Sequence, residues 1–153
     1  MSSGPALRCE GLVKRYGDLV AVAGVDLEVR RGECFGLLGP NGAGKTTTVE
    51  IFEGLNAADA GRVEILGSTW AEGGDRLRER IGIQLQETEL ADKLSVIEVL
   101  TLFRSFYRTG HPPEHAMRAV GLEEKRDAWV RKLSGGQKQR LSLACALVCD
   151  PEI

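Results

Sequence analysis

No apolar run in the 153 residues reaches the roughly 18 to 20 positions that a helix needs to cross a bilayer. The opening residues, Met1-Ser2-Ser3-Gly4-Pro5, have neither the basic nor the apolar region of a secretory signal. The expectation is a chain made and kept in the cytosol, without a membrane span of its own. Basic excess is missing too: Lys and Arg number 20 against 22 Asp and Glu, a net charge of −2. Nucleic-acid binding needs a basic stripe to neutralise phosphates, so direct contact with DNA or RNA is not expected. Cysteine is sparse, at four residues, and no pair has the C-x₂-C spacing of a zinc site. All four are expected as small core residues. Cys9 and Cys34 lie in strand-like runs, and Cys145 and Cys149 share a helical stripe with Leu141, Ala144 and Val148. The two histidines, His111 and His115, flank Pro112-Pro113 at the start of a short helix, and since two imidazoles alone make a poor metal site they are read as solvated.

What is present is concentrated in eight residues. Gly39-Pro40-Asn41-Gly42-Ala43-Gly44-Lys45-Thr46 follows the apolar run 34–38 and opens a helix expected over 44–53. Glycines at these places let consecutive backbone N–H groups point inward at one anion without side chains in the way. The first turn of the helix adds unpaired N–H groups and the positive end of its dipole. Lys45 supplies a mobile cation for β- and γ-phosphates, and the Thr46 hydroxyl is placed to ligate Mg²⁺. A nucleoside triphosphate is the expected ligand.

Almost ninety residues later comes Leu133-Ser134-Gly135-Gly136-Gln137, then Lys138-Gln139-Arg140 and an apolar helix expected to run to about Val148. Ser134 is a good N-cap, and Gly135 and Gly136 allow the helix N–H groups to come close to an anion. Together the two motifs resemble the ATP-binding subunit of an ABC transporter, and the resemblance covers nearly the whole chain. It implies a fold class of α/β type: a P-loop NTPase (ABC ATPase) sheet lobe with an inserted helical lobe. It implies ATP and Mg²⁺ as ligands, with Gly39, Pro40, Asn41, Gly42, Ala43, Gly44, Lys45, Thr46 and Thr47 around the phosphates. It also implies a head-to-tail dimer in which Ser134, Gly135, Gly136 and Gln137 close over the partner's ATP.

Two further residues match family positions. Tyr16, in Leu12-Val13-Lys14-Arg15-Tyr16-Gly17, corresponds to the aromatic that stacks on adenine; packing of the ring on the sheet is the other reading. Gln86, before Glu87, corresponds to the glutamine that reaches Mg²⁺ and the attacking water, a catalytic role shared with Lys45. Gln84 lies two positions earlier, would point from the same strand face, and is its rival.

Organisation follows from periodicity. Short β-like runs at 12–16, 25–29, 34–38 and 61–66 surround the helix ended by Gly54, and residues 7–86 are expected to form the sheet lobe. Residues 68–75 read as an exposed connection before a short charged helix and a strand around Ile81. From 87 to 132 a helical lobe is expected. Ser95 and Glu98 make a capping box, and Val96, Val99, Leu100, Phe103 and Phe106 share one face. Pro112-Pro113 opens the next helix and Gly121 closes it. Residues 133–153 carry the signature segment and its helix, completing a partial ABC ATPase domain over 1–153.

In the family the next strand ends in the Asp that orders Mg²⁺ and the Glu that polarises water. The chain stops at Cys149-Asp150-Pro151-Glu152-Ile153, before that strand, so the resemblance implies a C-terminally incomplete domain, the front portion of a longer protein. A positioned base is worth about 10² to 10⁴ in rate, and the 153 residues alone are expected to hydrolyse ATP little or not at all. The intact subunit would couple ATP binding and hydrolysis to solute export through a separate transmembrane permease, held on the inner face of the membrane by that permease. The stretches 46–55 and 84–88 look most like stand-alone ATPases of multidrug or antibiotic exporters. A soluble ABC-type ATPase on ribosomes or DNA shares both motifs, but a second cassette, a coiled-coil insertion or a basic arm is not seen. A nucleotide-binding module without turnover is a further alternative.

Overall fold

The computed structural model describes residues 4–84 and 90–153. It divides into two compact units, Met1–Leu77 and Arg78–Ile153.

The first unit is built on strands β1 (Leu7–Tyr16), β2 (Leu19–Val29) and β3 (Ala60–Ile65), in the antiparallel order β2-β1-β3. Both outer strands shift register around Gly11 of β1, so that Leu12 points inward after Leu7 and Cys9. This bulge explains why β1 runs longer than its regular alternation suggests. Helix α1 (Lys45–Phe52) lays Ile51 against Cys9, Leu12 and Val22, with Phe52 and Val63 at the margin. Gly54 ends it in a left-handed turn.

Three expectations for this unit are corrected. Residues 34–38 form no ladder, since a strand needs a neighbour and no described segment pairs with them. Cys34 is accordingly exposed rather than in the core. The expected connection at 68–75 holds most of helix α2 (Trp70–Arg78), which kinks at Gly74. Its start is set by Thr69 and Glu72: Glu72 accepts from the Thr69 backbone at 3.0 Å and from the Thr69 hydroxyl at 2.8 Å.

In the second unit, helices α3 (Val96–Ser105), α4 (Pro113–Ala119) and α5 (Gly135–Leu147) enclose a core that includes Val99, Leu100, Met117, Leu122, Leu141 and Val148. Full burial of such side chains is worth about 1.5 to 3 kcal/mol each as an upper bound. The expected capping box is present: Ser95 and Glu98 satisfy each other's backbone N–H groups. Phe106 departs from the expected apolar face, because it is the C-cap beyond the last helical turn. It stands exposed, edge-on to Phe103 with ring centroids 5.8 Å apart. Among the described residues no ladder forms around Ile81, where a strand was expected, although the Gly82 N–H donates to Ile153 at 2.9 Å and the Glu152 N–H to Arg80 at 2.9 Å.

Candidate phosphate-binding site

The loop between the apolar run and α1 is bent by two glycines in the left-handed region, Gly42 at φ 81° and Gly44 at φ 78°. At Gly44 the requirement is doubled, because a Cβ there would lie 2.2 Å from the Ala21 carbonyl oxygen. Gly44 is also the N-cap of α1, and as glycine it offers no side-chain acceptor. No acidic residue occupies the first turn. The N–H groups of Lys45, Thr46 and Thr47 have no acceptor one turn back, and nothing in the cap takes them over. A helix end left this way suits an anion.

Lys45 is folded over the loop, its ammonium donating to the carbonyls of Gly39 at 2.8 Å and Pro40 at 2.7 Å. It thereby holds a positive charge across the loop mouth. The Thr46 hydroxyl is exposed, and Asn41, Gly42 and Ala43 are exposed beside it. Thr48 plays another part: buried, it donates to the Gly44 carbonyl from its hydroxyl at 2.9 Å and from its backbone at 2.8 Å, fixing the first turn. An oxygen-rich anion fits this set of amides and one ammonium, and the exposed Thr46 hydroxyl offers one oxygen to a hard cation such as Mg²⁺.

Tyr16 ends β1 and is 47% exposed, so its ring is not packed away on the sheet. Its hydroxyl accepts from Asn56 Nδ2 at 2.5 Å, and the Lys14 ammonium lies 5.4 Å from the ring centroid. Asp59 accepts from the Arg15 backbone at 2.6 Å and from Lys14 at 3.1 Å. The Arg15 backbone bond, then Lys14, hold the Asp59 carboxyl below the usual carboxylate range. Asn56 and Asp59 were not singled out from the sequence, since residues 40 or more positions from their partners leave no local trace.

Ser134 caps α5. Its hydroxyl accepts from the Gln137 N–H at 3.3 Å, and the Gln137 side chain accepts from the Ser134 N–H at 2.8 Å. The reciprocal cap uses the donors at both ends of the motif and leaves those of Gly135 and Gly136 between them, both exposed with open space where a Cβ would be. Arg140, one helical turn further on, donates to the carbonyls of Val120 and Gly121 at 3.3 and 3.2 Å, tying the signature helix to the end of α4. Gln86 lies outside the described residues. Its rival Gln84 is exposed and donates to Gln139 at 3.4 Å.

Glu152 pairs with Arg80 at 2.5 and 3.0 Å, and Asp150 sits 3.2 Å from His111. The His111 and His115 rings lie with centroids 4.1 Å apart, tilted 40° to one another. Burial raises the thiols of Cys9, Cys145 and Cys149, that of Cys145 to about 12. Among the described residues no helix is long and apolar enough to cross a membrane.

Known proteins resemble this chain in both sequence and fold. The family described as "ABC transporter" matches residues 22–153. The Nod factor export ATP-binding protein I of Ralstonia nicotianae is 41% identical over 160 residues, covering 100% of this chain and 49% of that protein. Its namesake in Burkholderia pseudomallei is 44% identical, covering 92% and 48%. The chain thus spans about half the length of the curated relatives it matches. Among solved structures, cbiO1 from Clostridium perfringens, described as part of the ABC transporter complex cbiONQ, aligns with a TM-score of 0.84 at 28% identity over 97% of this chain and 63% of that one. An ATP-binding cassette of an ABC transporter in its ADP conformation aligns at 0.82 with 26% identity, over 97% and 66%. With the family match running over residues 22–153 and the folds superimposing, the chain belongs to the ABC transporter family and has the fold of its ATPase domains.

Proposed function

We propose that this chain supplies the ATP-binding machinery of an ABC transporter, coupling ATP binding and hydrolysis to export of a solute through a separate permease. The observation that carries this reading is the uncapped start of α1 behind a loop bent through Gly42 and Gly44, with Lys45 poised across its mouth. Gly39, Pro40, Asn41, Gly42, Ala43, Gly44, Lys45, Thr46 and Thr47 cradle the triphosphate. Lys45 exchanges its two carbonyl acceptors for phosphate oxygens, a charge-assisted bond that is stronger than the pair it leaves. Thr46 holds Mg²⁺, with Gln86 from the segment outside the described residues. When bound, Mg²⁺ neutralises charge on the phosphates. Tyr16 offers its ring to the base.

The exposed glycine amides of Gly135 and Gly136, framed by Ser134 and Gln137, meet the nucleotide of a second copy in a head-to-tail dimer. Residues 7–86 form the lobe that holds the nucleotide, 87–132 the helical lobe facing the permease, and 133–153 the signature segment. The permease keeps the subunit on the inner face of the membrane. Export is favoured over uptake because the matched relatives are named as export proteins.

Phosphate release by the complete transporter in proteoliposomes tests this. Lys45→Ala should lower turnover by about 10²-fold or more, the scale on which one preorganised donor to a transition state acts. Turnover that survives the substitution unchanged overturns the proposal.

A further inference from the structure

Residues 14, 15 and 16 at the end of β1 are each fastened to the turn that follows α1. The Lys14 ammonium lies 3.1 Å from Asp59. The Arg15 N–H donates to the other oxygen of Asp59 at 2.6 Å, and the Asp59 N–H returns to the Val13 carbonyl at 2.9 Å. The Tyr16 hydroxyl accepts from Asn56 at 2.5 Å. Asn56 is itself fixed, its backbone N–H donating to the Glu50 carbonyl at 3.1 Å and its amide reaching the Glu50 carboxylate at 3.4 Å.

An exposed tyrosine at a strand end ordinarily samples several rotamers, and ordering it on binding a ligand costs part of the binding energy. Here the hydroxyl is anchored at its tip, and the Lys14 ammonium, 5.4 Å from the centroid, takes up one side of the ring. The residue still exposes 47% of its surface. The arrangement is a stacking platform set before the ligand arrives.

We infer that Asn56 is a positioning residue for nucleotide-base recognition, holding the Tyr16 ring in a stacking pose through its hydroxyl, with Lys14 fixing the ring's other side. The inference rests on the nucleotide-binding reading above. It assigns the selection of a base-bearing triphosphate over a bare one to the turn after α1 as well as to Tyr16.

The test is calorimetric titration of the full chain with Mg-ATP and, separately, with Mg-tripolyphosphate, which has the phosphates but no base. Tyr16→Phe keeps the ring and removes the acceptor; Asn56→Ala keeps Tyr16 and removes the donor. Each should weaken ATP by roughly two- to tenfold, the scale of one hydrogen bond, and leave tripolyphosphate unchanged. The double variant should lose no more than either single one, because both remove the same bond. Asn56→Gln, which keeps an amide donor, should recover part of the loss.

ATP affinity unchanged in both single variants, equal losses for both probes, or additive losses would each overturn the inference. If those outcomes came with Tyr16→Ala still lowering ATP selectively, the stacking role of Tyr16 would stand and Asn56 alone would be excluded. A wild-type chain that takes up neither probe would overturn the nucleotide reading and the inference with it.

Discussion

Gly42→Ala and Gly44→Ala place the same methyl group on two loop residues of nearly identical backbone, φ 81° and φ 78°. Both pay for an L-residue in the left-handed region, roughly 1 to 2 kcal/mol. Space separates them. At 42 an added Cβ meets nothing within 4 Å, whereas at 44 it lies 2.2 Å from the Ala21 oxygen and 3.3 Å from Val22 Cγ2. That oxygen is main chain in β2, between Val20 and Val22, which are in register with Arg15 and Lys14 of β1. It cannot swing aside as a side chain would, so the loop must lift away from the strand. Lifting it strains the two bonds that Thr48 makes to the Gly44 carbonyl, at 2.8 and 2.9 Å. At about 0.5 to 1.5 kcal/mol for each of the two hydrogen bonds, added to the backbone cost, Gly44→Ala should lose about 2 to 5 kcal/mol. Gly42→Ala should stay near 1 to 2 kcal/mol. Urea unfolding followed by far-ultraviolet circular dichroism reads both, against a total stability of about 5 to 15 kcal/mol for a typical domain. Equal losses, or a Gly44→Ala variant within about 1 kcal/mol of wild type, would refute the reasoning.

In the helical unit, Ser95→Ala removes the N-cap of α3 and should cost about 1 kcal/mol in the same assay; an unshifted midpoint would count against the cap. Hydrogen bonds hold the carboxyls of Asp59, Glu72, Glu98 and Glu114 below their ordinary values, chiefly bonds from the backbone. Their stabilisation is complete above the unfolded values of 3.8 for Asp and 4.5 for Glu and is lost as pH falls through the lower folded ones. Glu53 works the other way, since burial and then Glu50 raise it, and its penalty fades on protonation. An acid titration of stability should therefore fall below about pH 4; a flat profile down to pH 3 would contradict the assigned bonds. Thiol labelling at pH 8 under native conditions should find Cys34 reactive and Cys9, Cys145 and Cys149 protected until unfolding, because only Cys34 is exposed. Rapid labelling of Cys145 would overturn that burial.

What was legible in the sequence was local. The phosphate loop and the caps at Ser95 and Ser134 are signals within a few residues, where glycine placement and an acceptor three positions before a donor dictate geometry. Thr69 and Glu72 carried the same signal for α2 and were overshadowed by Gly73 and Gly74, the second of which leaves helical geometry and kinks the segment. Non-local features escaped. The strand-like composition of 34–38 does not make a strand where no described segment pairs with it, and Cys34 is exposed as a result. The inward turn of Leu12 depends on a bulge at Gly11 that a simple alternation count breaks upon. Asn56 reaches Tyr16 across 40 positions, a meeting set by the pairing of β1 with β3 rather than by either residue's neighbours.

Calorimetric titration of the wild-type chain and of Lys45→Ala with Mg-ATP bears most directly on the phosphate cradle. The wild type should take up nucleotide saturably at one site, and removing the ammonium that bridges the loop mouth should weaken binding by about tenfold or more. No heat of uptake by the folded wild type, or equal affinities for the two chains, would contradict the account.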